Sequence, residues 1–200
     1  MRIAVIGAGN VGGGLGAAFA RAGHSVVFGV RDPSSDKCRA ALAAAPGSGA
    51  LTAAEAVAGA DVVAFALRWD VVPGTIASLP SLDGRVVIDA MNRLSGNSPR
   101  STSEDLAELL PGARVVKAFN TIGYENLTTA RERHAPVAMF VAGDNAEAKQ
   151  TVMALAAEIG FTPEDAGPLS NAKALEEMVR VWIALAQRHG RTVGFALSDG

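Results

Sequence analysis

Cysteine is nearly absent from this sequence. Cys38 stands alone, so no internal disulfide can form, and a reducing, cytoplasmic setting is expected. Aromatic residues are scarce at 5%, which calls for a core of small side chains in closely packed layers. Charge of one sign is lacking as well: 18 basic residues stand against 20 acidic ones, a formal net charge of −2. That balance leaves no electrostatic footprint for nucleic acid or an anionic membrane. Long apolar runs are missing. The stretch Val62–Leu67 falls far below the roughly 18 residues needed to span a bilayer. The opening run, Met1–Ile6, is too short for a signal peptide's apolar region, and a glycine-rich turn follows it. A soluble chain without a membrane partner is expected.

Catalytic acids are few. His24 lies in a turn, His134 in a polar loop, and His189 near a helix end where a cation suits the dipole. Tyr124 and Lys117 are further candidate proton donors, although the side-chain direction of Lys117 within its strand is open. No histidine–carboxylate pair, metal-ligand cluster or serine or cysteine nucleophile motif is found. Cys38 falls in a helix far from the strand ends. Chemistry carried by bound cofactors is the natural alternative, because the protein then mainly binds and orients them.

What is present is a regular alternation. Strands are predicted at Ile3–Ile6, Ser25–Val30, Ala50–Leu51, Asp61–Leu67, Arg85–Asp89, Arg114–Ala118, Pro136–Ala142 and Phe161–Asp165. Helices are predicted at Val11–Ala22, Ser34–Ala45, Ala53–Ala58, Val71–Leu79, Ser103–Leu110 and Ala146–Ile159. The strands are apolar along their length, as expected when helices cover both faces of a parallel sheet. The fold class is α/β, a doubly wound Rossmann-type mainly parallel sheet with a long C-terminal helix. Residues 1–170 are expected to form the Rossmann-type domain. Residues 171–200 are expected to supply a helix packing on the same domain or on a dimer partner. From Asn171 to Gly190, the apolar positions Leu175, Met178, Val179, Trp182, Leu185 and Ala186 recur at helical spacing. That stripe is broad, and a homodimer is the expected assembly.

Gly7-Ala8-Gly9-Asn10-Val11-Gly12 matches the dinucleotide-binding glycine pattern in its proper context, after a strand and at the start of a helix. Gly7 permits the tight turn, Gly9 admits a pyrophosphate, and Gly12 lets helix and strand approach closely. Gly13, Gly14 and Gly16 follow, and the cost of glycine in a helix implies close approach of something. The second strand ends on Val30, not on an acid, and Arg31 comes next. A guanidinium suits the 2′-phosphate of NADP, which a carboxylate would repel. Ser34, Ser35 and Lys37 stand close enough in sequence to add to that site. Asp32 satisfies the spacing for an NAD-type acid, but Asp32-Pro33 reads as a turn beyond the strand. NADP is therefore the expected cofactor.

In such sheets ligands lie outside the carboxyl ends of the strands. That rule selects Leu67, Arg68 and Trp69 after the fourth strand, Asn92 and Arg93 after the fifth, and Asn120 after the sixth. The two amides suit a nicotinamide carboxamide or its ribose, and equally the capping of a turn. Arg68 and Arg93 suit an anionic acceptor, a pyrophosphate, or solvent.

The chain resembles the NADP-dependent reductases typified by the reductase that exchanges hydride between NADP and the deazaflavin coenzyme F-420. The resemblance runs over Gly7–Gly12, residues 29–33 (Gly-Val-Arg-Asp-Pro), Trp69-Asp70, Asp89-Ala90-Met91-Asn92, Lys117-Ala118-Phe119-Asn120-Thr121 and Gly167-Pro168-Leu169-Ser170-Asn171-Ala172. It implies that Arg31 binds the 2′-phosphate and that residues 9–12 bind the pyrophosphate. It also implies that Asn92 and Asn120 lie near the nicotinamide, with a deazaflavin, flavin or similar planar acceptor stacked on it. Arg68 and Arg93 depart from the family, which commonly has proline at both positions. Gly167 to Lys173 faintly resembles the lysine-bearing helix of the β-hydroxyacid dehydrogenases, which would make Lys173 a general acid in an imine or hydroxyacid reductase. Glu176 and Glu177 stand where that motif favours asparagine. A non-catalytic NADP(H) sensor is the third reading.

Overall fold

The computed structural model describes residues 1–94, 98–133 and 135–198; His134 and the last two residues of the chain lie outside them. Among these residues eight strands form one sheet: β1 (Arg2–Ile6), β2 (Ser25–Gly29), β3 (Gly49–Leu51), β4 (Val62–Phe65), β5 (Val86–Asp89), β6 (Arg114–Lys117), β7 (Ala138–Gly143) and β8 (Thr162–Asp165). Their spatial order is β3-β2-β1-β4-β5-β6-β7-β8. All neighbours are parallel except β6 and β7, which pair antiparallel with Lys117 opposite Ala142. Among the described residues seven α-helices accompany them: α1 (Asn10–Arg21), α2 (Asp36–Ala44), α3 (Ala53–Ala58), α4 (Val72–Ile76), α5 (Thr102–Leu109), α6 (Ala146–Glu158) and α7 (Ala172–His189). The fold is the doubly wound sheet that the apolar runs imply.

Alternation along each strand separates two cores. Ile3, Val5, Ala64 and Ile88 face one layer with Leu15 and Phe19 of α1 and Val152 and Leu155 of α6. Ala4, Ile6, Phe65 and Val87 face the other with Ala56 and Val57 of α3 and Leu106 of α5. Each large side chain so buried stabilises the fold by about 1.5–3 kcal/mol relative to exposure. The paucity of aromatics is offset by an edge-on stack in which Phe119 meets Phe19 at 5.9 Å and Phe161 at 6.4 Å between ring centres.

Element ends differ from the sequence expectation at instructive places. The α5 helix is capped by Ser101, not opened by Ser103: Ser101 Oγ accepts from Glu104 N, and Glu104 accepts from Ser101 N, a reciprocal box. Ser103 is instead buried and donates to Asp89 Oδ2 at 2.6 Å. The helix expected from Val71 to Leu79 is shorter, with the costly Gly74 at its middle; Ser78 and Leu79 continue with tighter, 3-10 spaced bonds. On α7, Leu175, Val179 and Trp182 are buried against the same chain, and Trp182 Nε1 donates to Val193 O at 2.9 Å.

Candidate functional site

The glycine turn is built as its sequence requires. Gly7 has φ +107°, a conformation open to glycine, and a side chain there would press on Ala66 O at 2.7 Å and on Leu67. A Cβ on Gly12 would collide with the carbonyl of Gly7, so α1 can sit this close to β1 only with glycine at that position. A Cβ on Gly9, by contrast, would meet nothing within 4 Å. Gly9 is the cap residue of α1, and no side chain caps that helix start. Its first amide groups and the positive end of the helix dipole are left for an anion. The further glycines have a different reason: a side chain on Gly14 would meet Leu127, and one on Gly16 the ring of Phe28. They serve packing within the chain.

A cleft of about 890 Å³ opens at this turn, and Gly7, Gly9, Arg31, Lys37, Leu67 and Asp70 are among the residues on its wall. Both Arg31 and Lys37 are exposed, and neither makes a side-chain hydrogen bond or ion pair among the described residues. Asp32 lines the cleft too, but its carboxylate is occupied. Asp32 Oδ1 accepts from Ser34 N at 2.9 Å and Ser34 Oγ at 2.6 Å, and its backbone oxygen accepts from Ser35 Oγ at 2.8 Å. The Ser34 hydroxyl, then the Ser34 amide, hold this carboxyl below the usual carboxylate range. Ser34 is thus committed to the turn, while Ser35, which caps α2, reaches the cleft wall. Asn10, Val11 and Gly12 form the first turn of α1 directly behind that wall.

The residues expected around the nicotinamide form a separate group. Asn92 Nδ2 donates to Asn120 O at 3.0 Å, and Asn120 Nδ2 donates to both Asn92 Oδ1 and Leu175 O at 3.0 Å. Both acceptors fix the orientation of the Asn120 amide and leave its buried Oδ1 without a partner. Phe119, just before it, has φ +61°, the left-handed region, and is the one such non-glycine among the described residues. Strain of this kind, about 1 kcal/mol or more, persists where the surroundings over-determine it. Here the aromatic stack holds the Phe119 ring inward while Asn120 turns towards α7.

The two arginines that depart from the family are both engaged. Arg68 forms a two-point ion pair with Asp70, at 2.6 Å and 3.1 Å, and its side chain is 85% exposed. Arg93 lies over the Trp69 ring at 4.7 Å and pairs with Asp105 at 2.6 Å. Each guanidinium thus has an acidic partner within this chain. Lys173 pairs with Glu177 at 2.8 Å, one turn along α7. Tyr124 stacks under the Arg191 guanidinium. Burial pushes the Cys38 thiol up, away from reactivity.

Lys117 is the residue whose place the sequence left most open. It is fully buried at the end of β6, with Asp89 opposite it in register. Its ammonium contacts four oxygens and faces no open space. That closes the proton-donor reading. A signal was available: an aspartate ends Val86–Asp89 and a lysine follows two valines at the end of Arg114–Lys117, on neighbouring strands. Glu176, the third charge, comes from α7 and carried no such signal.

Comparison with known proteins places this arrangement. The chain is 32% identical to the F420-dependent NADP reductase of Methanothermobacter thermautotrophicus over 224 aligned positions, covering all of this chain and 95% of that protein. The chain belongs to the F420-dependent NADP reductase family, a family of NADP-dependent oxidoreductases. The family model described as "NADP oxidoreductase coenzyme F420-dependent" matches residues 2–93. A crystal structure from Arthrobacter sp. FB24, provisionally described as an F420-dependent NADP reductase, superimposes with a TM-score of 0.88 at 27% identity over the whole of both chains. The metalloreductase STEAP3 of Rattus norvegicus is 33% identical over 88% of this chain, and the chain spans 36% of its length. Among the described residues no helix is long and apolar enough to cross a membrane, and no group of three His, Cys, Asp or Glu could hold a metal ion.

Proposed function

We propose that this protein binds NADPH and passes its hydride to a deazaflavin, flavin or similar planar acceptor. One observation carries the choice of cofactor: Arg31 and Lys37 stand on the cleft wall where β2 ends with no side-chain partner among the described residues, while one oxygen of the nearby acid, Asp32, is turned to Ser34. Two cations suit a 2′-phosphate, and the Asp32 carboxylate, turned to Ser34 through Oδ1, belongs to the turn beyond the strand rather than to the strand end where a ribose-binding acid stands. The glycine turn fits the rest of the dinucleotide, since the space beside Gly9 and the uncapped start of α1 together suit a pyrophosphate. Asn92 and Asn120 would lie at the nicotinamide end, held to each other by their reciprocal hydrogen bonds.

When bound, NADPH supplies two electrons and a proton as hydride, and the acceptor takes up any further proton from solvent. The chain's own part is to bind, orient and exclude water. A planar acceptor is supported by the family's named reductases and by the scarcity of positioned acids, since ketone or imine reduction more often needs one. The test is stopped-flow loss of NADPH absorbance against deazaflavin, flavin, quinone, imine and keto acid acceptors. Rapid oxidation by the planar acceptors is the expected result. Tight NADPH binding with no turnover on any of them would favour a sensor instead.

A further inference from the structure

The Lys117 ammonium gathers oxygens from four parts of the chain. Met91 O lies at 2.6 Å, Glu176 Oε1 at 2.8 Å, Thr102 Oγ1 at 2.9 Å and Asp89 Oδ2 at 3.1 Å. Thr102 N and Oγ1 also donate towards Glu176 Oε1, at 2.8 Å and 2.7 Å. Met91 N donates to the other oxygen of Asp89 at 2.8 Å. Lys117 and Asp89 are fully buried, and the Glu176 side chain is 2% exposed. Two carboxylates thus share one ammonium, and Glu176 Oε2 has no partner among the described residues.

Such a cluster is a poor way to gain stability. Burying charges costs several kcal/mol per ion, and apolar replacements of similar volume are often neutral or better. Its placement suggests another use. Met91 precedes Asn92, Glu176 follows Leu175, and Asn120 lies three residues past Lys117. The cluster therefore holds the carbonyl before one amide and the helix turn whose Leu175 carbonyl anchors the other.

We propose that Glu176 is a positioning residue for hydride transfer. Through Lys117 and Leu175 it sets the Asn92–Asn120 amide pair, and so makes α7 part of the active site. The proposal rests on the reading that the nicotinamide lies at those two amides.

The Glu176→Gln and Glu176→Ala pair tests it. Gln keeps the Oε1 acceptor and puts an amide where Oε2 lacks a partner; Ala removes the tether yet leaves the Lys117–Asp89 pair in balance. Lys117→Met strands two carboxylates and is expected not to fold, so it decides nothing. Three measurements are made on each folded variant: NADPH binding by fluorescence, single-turnover NADPH oxidation by 5-deazariboflavin, and hydrogen exchange of residues 118–121 without cofactor. With Ala, hydride transfer is expected to fall at least about tenfold while NADPH affinity stays within about twofold, because small misplacements cost rate more than binding. Exchange at 118–121 should quicken. With Gln all three should stay near the wild type. Unchanged transfer and exchange in Ala, or equal losses in Gln and Ala, would overturn the proposal. A wild type that passes no hydride to the deazaflavin would instead count against the acceptor reading, and the exchange measurement would still decide the tether.

Discussion

Asn92 and Asn120 are joined by a reciprocal pair of hydrogen bonds, side chain to backbone in one direction and side chain to side chain in the other, each 3.0 Å long. The pair bridges the loops after β5 and β6, at the end of the sheet where the glycine turn lies. Neither amide is free to cap its own loop. Asn92→Ala and Asn120→Ala are each expected to destabilise the protein by about 1–3 kcal/mol, since a buried partner is left unsatisfied. A double-mutant cycle in urea should return a coupling energy of about 0.5–3 kcal/mol. Strictly additive losses would mean that the bridge contributes nothing.

Gly9→Ala and Gly12→Ala should behave in opposite ways. At Gly9 a methyl group enters open space, and the φ of −75° is ordinary for alanine. The variant is expected to keep its Tm within about 2 °C yet bind NADPH at least about tenfold more weakly, because the methyl occupies the phosphate's approach. At Gly12 the methyl collides with Gly7 O, so stability and binding should fall together. A Gly9→Ala protein with wild-type affinity would remove the phosphate from this turn.

Lys173→Ala should leave turnover within about twofold of the wild type, because an exposed i,i+4 ion pair contributes little. Loss of all activity would restore the general-acid reading of that lysine.

The strand Thr162–Asp165 offers a pH test. Lys149 contacts both oxygens of Asp165, at 2.7 Å and 2.8 Å, and with the Gly167 amide holds its carboxyl below the ordinary 3.8. A depressed folded-state pKa gives stability that is present above the unfolded value and lost as pH falls through the folded one. Asp165→Asn should therefore lower Tm by a constant amount from neutral pH down to about 5, and the gap should close below 3.8. A gap that persists at pH 2 would place the effect in packing.

The sequence carried the sheet well, because period-free apolar runs between helical segments leave few arrangements for Ile3–Ile6, Val62–Phe65 or Val86–Asp89. It did not carry the direction of β7, since Ala138–Gly143 reads the same whichever way it enters the sheet. The first half of the candidate site was legible for the same local reason: Gly7, Gly9, Gly12 and Arg31 stand within one β-α-β segment. The second half was not. The partners of Lys117 lie up to 59 residues away, and Glu176 looked only like a departure from another motif. The acidic partners of Arg68 and Arg93 were not legible either, since nothing in the spacing marks Asp70 or Asp105 as their neighbours.

Selection of the phosphorylated cofactor by Arg31 is checked by paired titrations of the wild type and Arg31→Ala with NADPH and NADH. The wild type is expected to bind NADPH more tightly, and the variant to lose roughly 1.5–3 kcal/mol of NADPH affinity, the range for a charged hydrogen bond, with NADH barely changed. Equal losses for both nucleotides, or a wild type that prefers NADH, would contradict it.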